Sequence, residues 1–274
     1  MALFHNRQLT TDKMTQTRID QVMAIAETAG KAILEIYARD FQIDEKEDKS
    51  PLTEADLAAH HIIVDALAQL TPEIPLLSEE SAETDFSERK GWQRYWLIDP
   101  LDGTKEFIKK NGEFTVNIAL IENHAPILGV VHVPVSGRTY AGETGKGAFV
   151  VEDGMRTEIS VTSQAQAPLR VAGSRSHAGE SLQRYLEKLG EHELVSMGSS
   201  LKLCLVAEGK ADIYPRLGPT SEWDTAAAHA VVTAAGGEVT DLQGEILKYN
   251  AKESLLNPHF LAFGDKNKDW LKYL

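Results

Sequence analysis

Apolar residues recur at helical spacing over residues 19–36, where Ile19, Val22, Met23, Ala26, Ala29, Ile33 and Ile36 fall on one stripe. The run Thr17-Arg18-Ile19-Asp20 just before it fits a capping box, so a helix is expected to start there. A second helix is expected from Thr53-Glu54-Ala55-Asp56 to about residue 70, ended by Thr71-Pro72. Between the two, residues 44–49 are charged and read as a mobile loop or a short exposed hairpin, and Pro51 stops any helix there. Strand-like runs follow at residues 75–77, 95–98, 114–121 and 127–133, with Gly-rich hairpins over 140–151. Past about residue 155 short strands (170–172, 212–214, 238–240) alternate with helices (180–189, 199–208, 222–235). That order predicts an α/β protein of stacked layers, with an α+β half at 17–155 and a layered α/β half at 156–274 behind a flexible leader at 1–16. The cleft between the halves is the expected place for a site.

The chain has 274 residues, 42% hydrophobic and 25% charged, which is ordinary for a folded globular protein. No apolar run approaches the about 20 residues that span a bilayer, and residues 1–16 lack the apolar core of a signal peptide. The single cysteine, Cys204, excludes an internal disulfide framework and fits a reducing cytoplasm; its neighbours Leu203, Leu205 and Val206 mark it as a core thiol. A formal charge of −13 opposes nucleic acid and anionic surfaces. Any phosphate ligand must then be held by local positive charge: metal ions, clustered Lys/Arg, or helix N-termini.

One segment carries the strongest chemistry. In Trp96-Leu97-Ile98-Asp99-Pro100-Leu101-Asp102-Gly103-Thr104 an apolar strand ends in one acid, a second follows three residues later, and Gly103-Thr104 presents backbone N–H groups. Converging carboxylates suit Mg²⁺, and a short helix starting at Gly103-Thr104 would aim N–H donors at a phosphate. The alternative for these residues, taken alone, is two surface turns. Glu79, in Ser78-Glu79-Glu80-Ser81, follows another short apolar run, while Asp56 and Asp224 each stand three residues after a Thr or Ser at a helix start, where simple capping is the alternative. Acids from four separate places are what a multi-metal phosphatase requires.

These motifs, in this order and spacing, resemble the inositol monophosphatase superfamily: Leu77-Ser78-Glu79-Glu80-Ser81, then Asp99 to Phe107, then Glu222-Trp223-Asp224-Thr225-Ala226-Ala227. The resemblance spans residues 17–263 and implies an αβαβα sandwich. Within the superfamily the chain is most similar to the 3′(2′),5′-bisphosphate nucleotidases, through Phe107 to Ile118, Ser174-Arg175-Ser176-His177, Gly198-Ser199-Ser200-Leu201-Lys202 and Tyr214 to Thr220. It implies that Glu79, Asp99, Asp102, Asp224 and the Leu101 carbonyl hold two or three Mg²⁺ ions. Asp56 would orient Thr104, which would help deprotonate the attacking water, and the N–H groups of Gly103 and Thr104 would hold the scissile phosphate. Glu79, Leu101, Asp102 and Asp224 would also border the substrate, with Ser174, His177, Ser199, Lys202 and Arg216 farther along it.

The implied reaction takes the 3′-phosphate from adenosine 3′,5′-bisphosphate, in sulfur assimilation and with sensitivity to lithium. The implied location is the cytoplasm, with peripheral association at the inner face of the membrane in some relatives. Lys202 as a point charge and Arg216 as a planar fork suit the second phosphate, though each reads alternatively as a solvated surface charge. An inositol or sugar monophosphatase would keep the metal residues and differ in the pocket, while a non-catalytic regulator should have lost them. Asp99 and Asp102 are separated by two residues rather than one, which excludes the aspartyl-phosphate phosphatases. A phosphate-binding P-loop, a zinc motif and a Ser/His/Asp signature are absent from the sequence.

Overall fold

A computed structural model describes residues 17–40, 43–45, 51–81, 84–173 and 179–274. Helix α1 (Arg18–Tyr37) opens on the expected capping box, in which Thr17 and Asp20 each bond the other's backbone N–H. All seven residues of its apolar stripe are buried. Strands β1 (Ile43–Glu45) and β2 (Pro51–Thr53) pair antiparallel, and residues 46–49 of the charged stretch, read as a loop or a hairpin, lie outside the described residues. Helix α2 (Glu54–Leu70) starts from a second capping box, Thr53 with Asp56, and packs beside α1.

The two helices cover one face of a seven-stranded sheet built in chain order: β3 (Leu76–Ser78), β4 (Arg94–Asp102), β5 (Thr115–Glu122), β6 (Ala125–His132), β7 (Thr139–Glu143), β8 (Gly147–Glu152) and β9 (Met155–Ile159). Strand β3 runs parallel to β4, and every other neighbour is antiparallel. Two short helices, α3 (Phe86–Arg89) and α4 (Thr104–Ile108), flank β4. Along β4, Trp96 and Ile98 face α1 and α2, while Tyr95 and Leu97 join the core on the opposite face. Burial on both faces explains why this strand is a continuous apolar run instead of an alternating one.

The later elements are β10 (Leu169–Gly173), α5 (Glu180–Leu189), β11 (His192–Ser196), α6 (Leu201–Ala207), β12 (Ile213–Arg216), α7 (Glu222–Ala234), β13 (Glu238–Asp241) and β14 (Phe260–Phe263). Their strands form a second, mixed sheet in the order β11-β10-β12-β14-β13. Helices α6 and α7 lie between the two sheets, and α5 with Trp270 covers the outer face. The layers are therefore α1/α2, sheet, α6/α7, sheet, α5. Gly129 and Gly142 allow the central contact: a Cβ on Gly129 would stand 2.0 Å from the Ala227 carbonyl oxygen, and one on Gly142 2.8 Å from Val231 Cα.

Three strands were not expected. Strand β9 is polar and largely exposed, the edge strand β11 is polar and half exposed, and β14 is a four-residue run that follows eighteen residues with little regular structure, so none carries a periodic pattern. The expected division at 155/156 falls inside β9, whose pairing with β8 runs on to Ile159.

Candidate active site

The site begins where β4 loses register with β5. Asp99 lies opposite Asn117 but Asp102 lies opposite Thr115, so β4 spends one extra residue there. The bulge falls at Pro100, which has no N–H to give to a ladder. Leu101 N–H turns back onto Asp99 Oδ1 at 3.1 Å. Gly103 follows with φ +94, in space where a Cβ would meet Ser199 Oγ at 2.3 Å, so glycine is required on both grounds. Helix α4 then starts at Thr104, as expected.

The other acids are carried in by neighbouring elements. Glu79 follows β3, whose parallel register places Ser78 opposite Ile98, so Glu79 leaves the sheet beside Asp99. Asp56 is 2% exposed at the start of α2. Its Oδ2 accepts from Thr53 N (2.8 Å) and Thr53 Oγ1 (2.6 Å), and its Oδ1 accepts from Thr104 Oγ1 at 3.4 Å. Asp224 caps α7 by accepting from Ser221 N at 2.9 Å. Capping and site-building thus coincide: each capping box fixes one carboxylate oxygen of Asp56 or Asp224.

These acids feel one another. Burial raises the Asp99 carboxyl well above its ordinary range, and Glu79, Asp102, Asp224 and Asp56 push it the same way. Asp224 is raised to about 8 by burial and then by Asp102, against the Ser221 N–H. Asp102 is raised to about 6 by burial, against Lys202 and the Ser200 N–H. A buried group of oxygen ligands whose members resist ionisation together is a site for hard cations. Among the described residues no three Asp, Glu, His or Cys side chains stand together as a ligand cage. The donor chemistry fits Mg²⁺, with Glu79, Asp99, Asp102, Asp224 and the Leu101 carbonyl as the residues that would hold it.

Asp102, Gly103 and Asp224 border a pocket of about 540 Å³, whose farther wall includes Lys202, Tyr214 and Arg216. Lys202 is 6% exposed, which excludes the surface-charge alternative. Its Nζ donates to the Ser199 carbonyl (2.7 Å) and the Met197 carbonyl (3.2 Å), and burial lowers it to about 8. Arg216 donates from one terminal nitrogen to the Pro219 carbonyl at 2.7 Å, while its buried Nε has no partner among the described residues. The Ser199 hydroxyl reaches the carbonyls of Asp102 (2.9 Å) and Glu113 (2.6 Å), a bracing position between two loops. Ser174 and His177 lie outside the described residues. Sequence reasoning gave no separate role to Ser200, whose N–H donates to Asp102 Oδ2 at 2.5 Å, nor to Thr115 and Asn117 behind it. The paired serines at 199–200 were the only hint.

The model of the inositol monophosphatase family matches residues 14–271. The chain belongs to the inositol monophosphatase family. Within that family it is 56% identical over 244 residues to the 3′(2′),5′-bisphosphate nucleotidase CysQ of Escherichia coli O157:H7, covering 88% of this chain and 98% of that protein. The protein of the same name from Buchnera aphidicola is 44% identical, over 92% and 96% of the two chains. Among solved structures, CysQ from Bacteroides thetaiotaomicron, a bacterial member of the family, superposes with a TM-score of 0.80 at 43% identity, over 93% of this chain and 99% of that one. An IMPase from Thermotoga maritima gives 0.75 at 28% identity, over 93% and 96%. These neighbours share the layered α/β architecture of this chain. Among the described residues no helix is long and apolar enough to cross a membrane.

Proposed function

We infer that the chain is a metal-dependent 3′(2′),5′-bisphosphate nucleotidase that releases the 3′-phosphate of adenosine 3′,5′-bisphosphate, leaving AMP. Members of the family are metal-dependent phosphatases, and the relatives over 50% identical carry this nucleotidase name. The observation that carries the reading is the group of mutually repelling buried acids, two of which, Asp102 and Asp224, border the pocket, joined at the start of α4 by the Thr104–Asp56 hydrogen bond. Magnesium bound by these acids would neutralise phosphoryl oxygens and lower the pKa of a water.

The chain's own residues do the rest. Thr104 donates its hydroxyl proton to Asp56 Oδ1, which leaves its oxygen lone pairs to accept a hydrogen bond from the attacking water. Asp56 is held in place on its other oxygen by Thr53, so it can receive the proton without swinging away. The N–H groups of Gly103 and Thr104, at the start of α4, hold the phosphate as water attacks phosphorus, the bond from phosphorus to the 3′ oxygen breaks, and that oxygen takes a proton from solvent water to become the 3′-hydroxyl. Arg216, whose guanidinium lies on the pocket wall, takes the remote 5′-phosphate. Lys202 has two N–H groups committed to carbonyls, so it supports that phosphate chiefly as a nearby charge. The cellular role that follows is clearance of a nucleotide by-product of sulfur assimilation, in the cytoplasm.

Phosphate release with Mg²⁺ across adenosine 3′,5′-bisphosphate, 3′-AMP, inositol 1-phosphate and fructose 1,6-bisphosphate tests the reading. The bisphosphonucleotide should give the highest kcat/KM. A preference for inositol 1-phosphate would overturn the substrate assignment, and no turnover of any of the four would overturn the enzyme.

A further inference from the structure

Asp102 is the metal-site acid most tightly bound to the far side of the pocket. Its Oδ2 accepts the Ser200 N–H at 2.5 Å, across 98 residues of sequence. Ser200 is itself anchored: its side chain is 4% exposed, and its Oγ lies 2.9 Å from Thr115 Oγ1 and 2.9 Å from Asn117 Oδ1, to which it donates. Thr115 and Asn117 are 0% and 1% exposed on β5, opposite Asp102 and Asp99 in the β4 register. Residues directly opposite in an antiparallel pair project on the same face, so Asn117 shares a face with Asp99. Its Nδ2 is buried with no partner among the described residues. The segment before Ser200 is pinned as well, by Gly198 N–H on Glu113 Oε2 at 2.8 Å and by Ser199 at a φ of +47.

We propose that Ser200 is a positioning residue for Asp102: the Thr115–Ser200–Asn117 chain fixes the α6 N-terminal turn so that one carboxylate oxygen of Asp102 is held and the other is presented to the metal. A carboxylate free to rotate must lose that freedom when a cation binds, whereas one with an oxygen already occupied is oriented beforehand. The same contact ties Lys202, two residues along α6, to the metal strand, so substrate wall and metal site move as one body. The chain Thr115–Ser200–Asn117 is uncharged, and Thr115 and Asn117 are buried behind the pocket wall that Ser200 lines.

This inference rests on the metal reading above, and calorimetry with Mg²⁺ alone, without substrate, tests it. Ser200→Ala keeps the backbone N–H but removes its anchor. It should raise the Mg²⁺ Kd by about tenfold, at the lower end of what outer partners of metal ligands are worth, while Ser200→Thr, which retains the hydroxyl, should stay near wild type. Asn117→Ala, which leaves the Thr115–Ser200 bond, should shift the Kd in the same direction and serves if Ser200→Ala does not fold. A lower melting temperature with unchanged Mg²⁺ Kd in these variants would overturn the positioning role and leave a plain structural brace. Absence of any Mg²⁺ binding by the wild-type chain would overturn both this inference and the metal reading.

Discussion

Thr104 and Asp56 come from different helices and meet at 3.4 Å, and this contact depends on each helix starting where it does. Thr104→Val keeps the shape and removes the hydroxyl. General-base assistance is worth roughly 10²–10⁴-fold, so kcat should fall within that range while the melting temperature stays close to wild type. Thr104→Ser should recover much of the rate, and a Val variant with more than half of wild-type kcat would remove Thr104 from the mechanism. Arg216→Ala acts at the other end of the pocket. If its guanidinium holds the 5′-phosphate, kcat/KM on adenosine 3′,5′-bisphosphate should drop by about 1.5–3 kcal/mol, roughly ten- to more than a hundredfold, with little change on 3′-AMP. Equal losses on both substrates would place Arg216 in support of the fold. At this scale the acids were legible only as a set and through the family resemblance, since each alone reads as a turn or a helix cap. The burial of Lys202, the bracing position of Ser199 and the Ser200 N–H on Asp102 were not, since each depends on partners brought together by folding.

The elements repeat one arrangement, a strand or helix end that delivers an acid to the same edge of the first sheet. Helices α1, α2 and α7 were readable from the residues at their starts, α5 and α6 from the alternation of strands and helices, and β4 to β6 from apolar runs. Strands β9, β11 and β14 were not, because β9 and β11 are polar strands whose identity comes from their pairing neighbours, and β14 is a short apolar run with no periodicity of its own. The contact between α7 and the sheet is the most exacting. Helix α7 carries Asp224 at one end and lies on β6 and β7 through Gly129 and Gly142. Gly129→Ala would drive a methyl group into the Ala227 carbonyl, and it should cost at least the ~1–3 kcal/mol typical of overpacking. Gly91→Ala, with nothing nearer than 3.8 Å, is the control and should stay within about 0.5 kcal/mol of wild type. Urea unfolding of both variants checks this, and equal stabilities would show that α7 can move off the sheet at little cost.

Across the whole molecule the formal charge of −13 and the buried acids make metal occupancy, protonation and stability one linked equilibrium. Asp224 and Asp102, at about 8 and about 6, bind protons more tightly in the folded chain than at the ordinary value of 3.8. Their contribution to stability is therefore complete below about pH 4 and is lost as pH rises through those folded values. Mg²⁺ binds the deprotonated acids, so it restores most where protons have left. His132 and His229 work in the opposite sense: burial lowers them to about 4 and about 3, and their contribution is lost only as pH falls below 6.5. The interval from pH 6.5 to 8 thus follows Asp224 chiefly, with Asp102 largely ionised below it and Lys202, lowered to about 8, beginning to lose its proton at its upper end. Glu222, raised to about 7 by burial, also titrates there, but it affects the chain with and without metal alike when Mg²⁺ is held elsewhere in the same turn. The gap in melting temperature between saturating Mg²⁺ and EDTA should therefore widen steadily from pH 6.5 to 8, with proton release on Mg²⁺ binding measurable in buffers of different ionisation enthalpy. A gap that is constant or narrows over this interval would mean that the acids of this site are already ionised without metal, and that their mutual repulsion is too weak to govern what binds there.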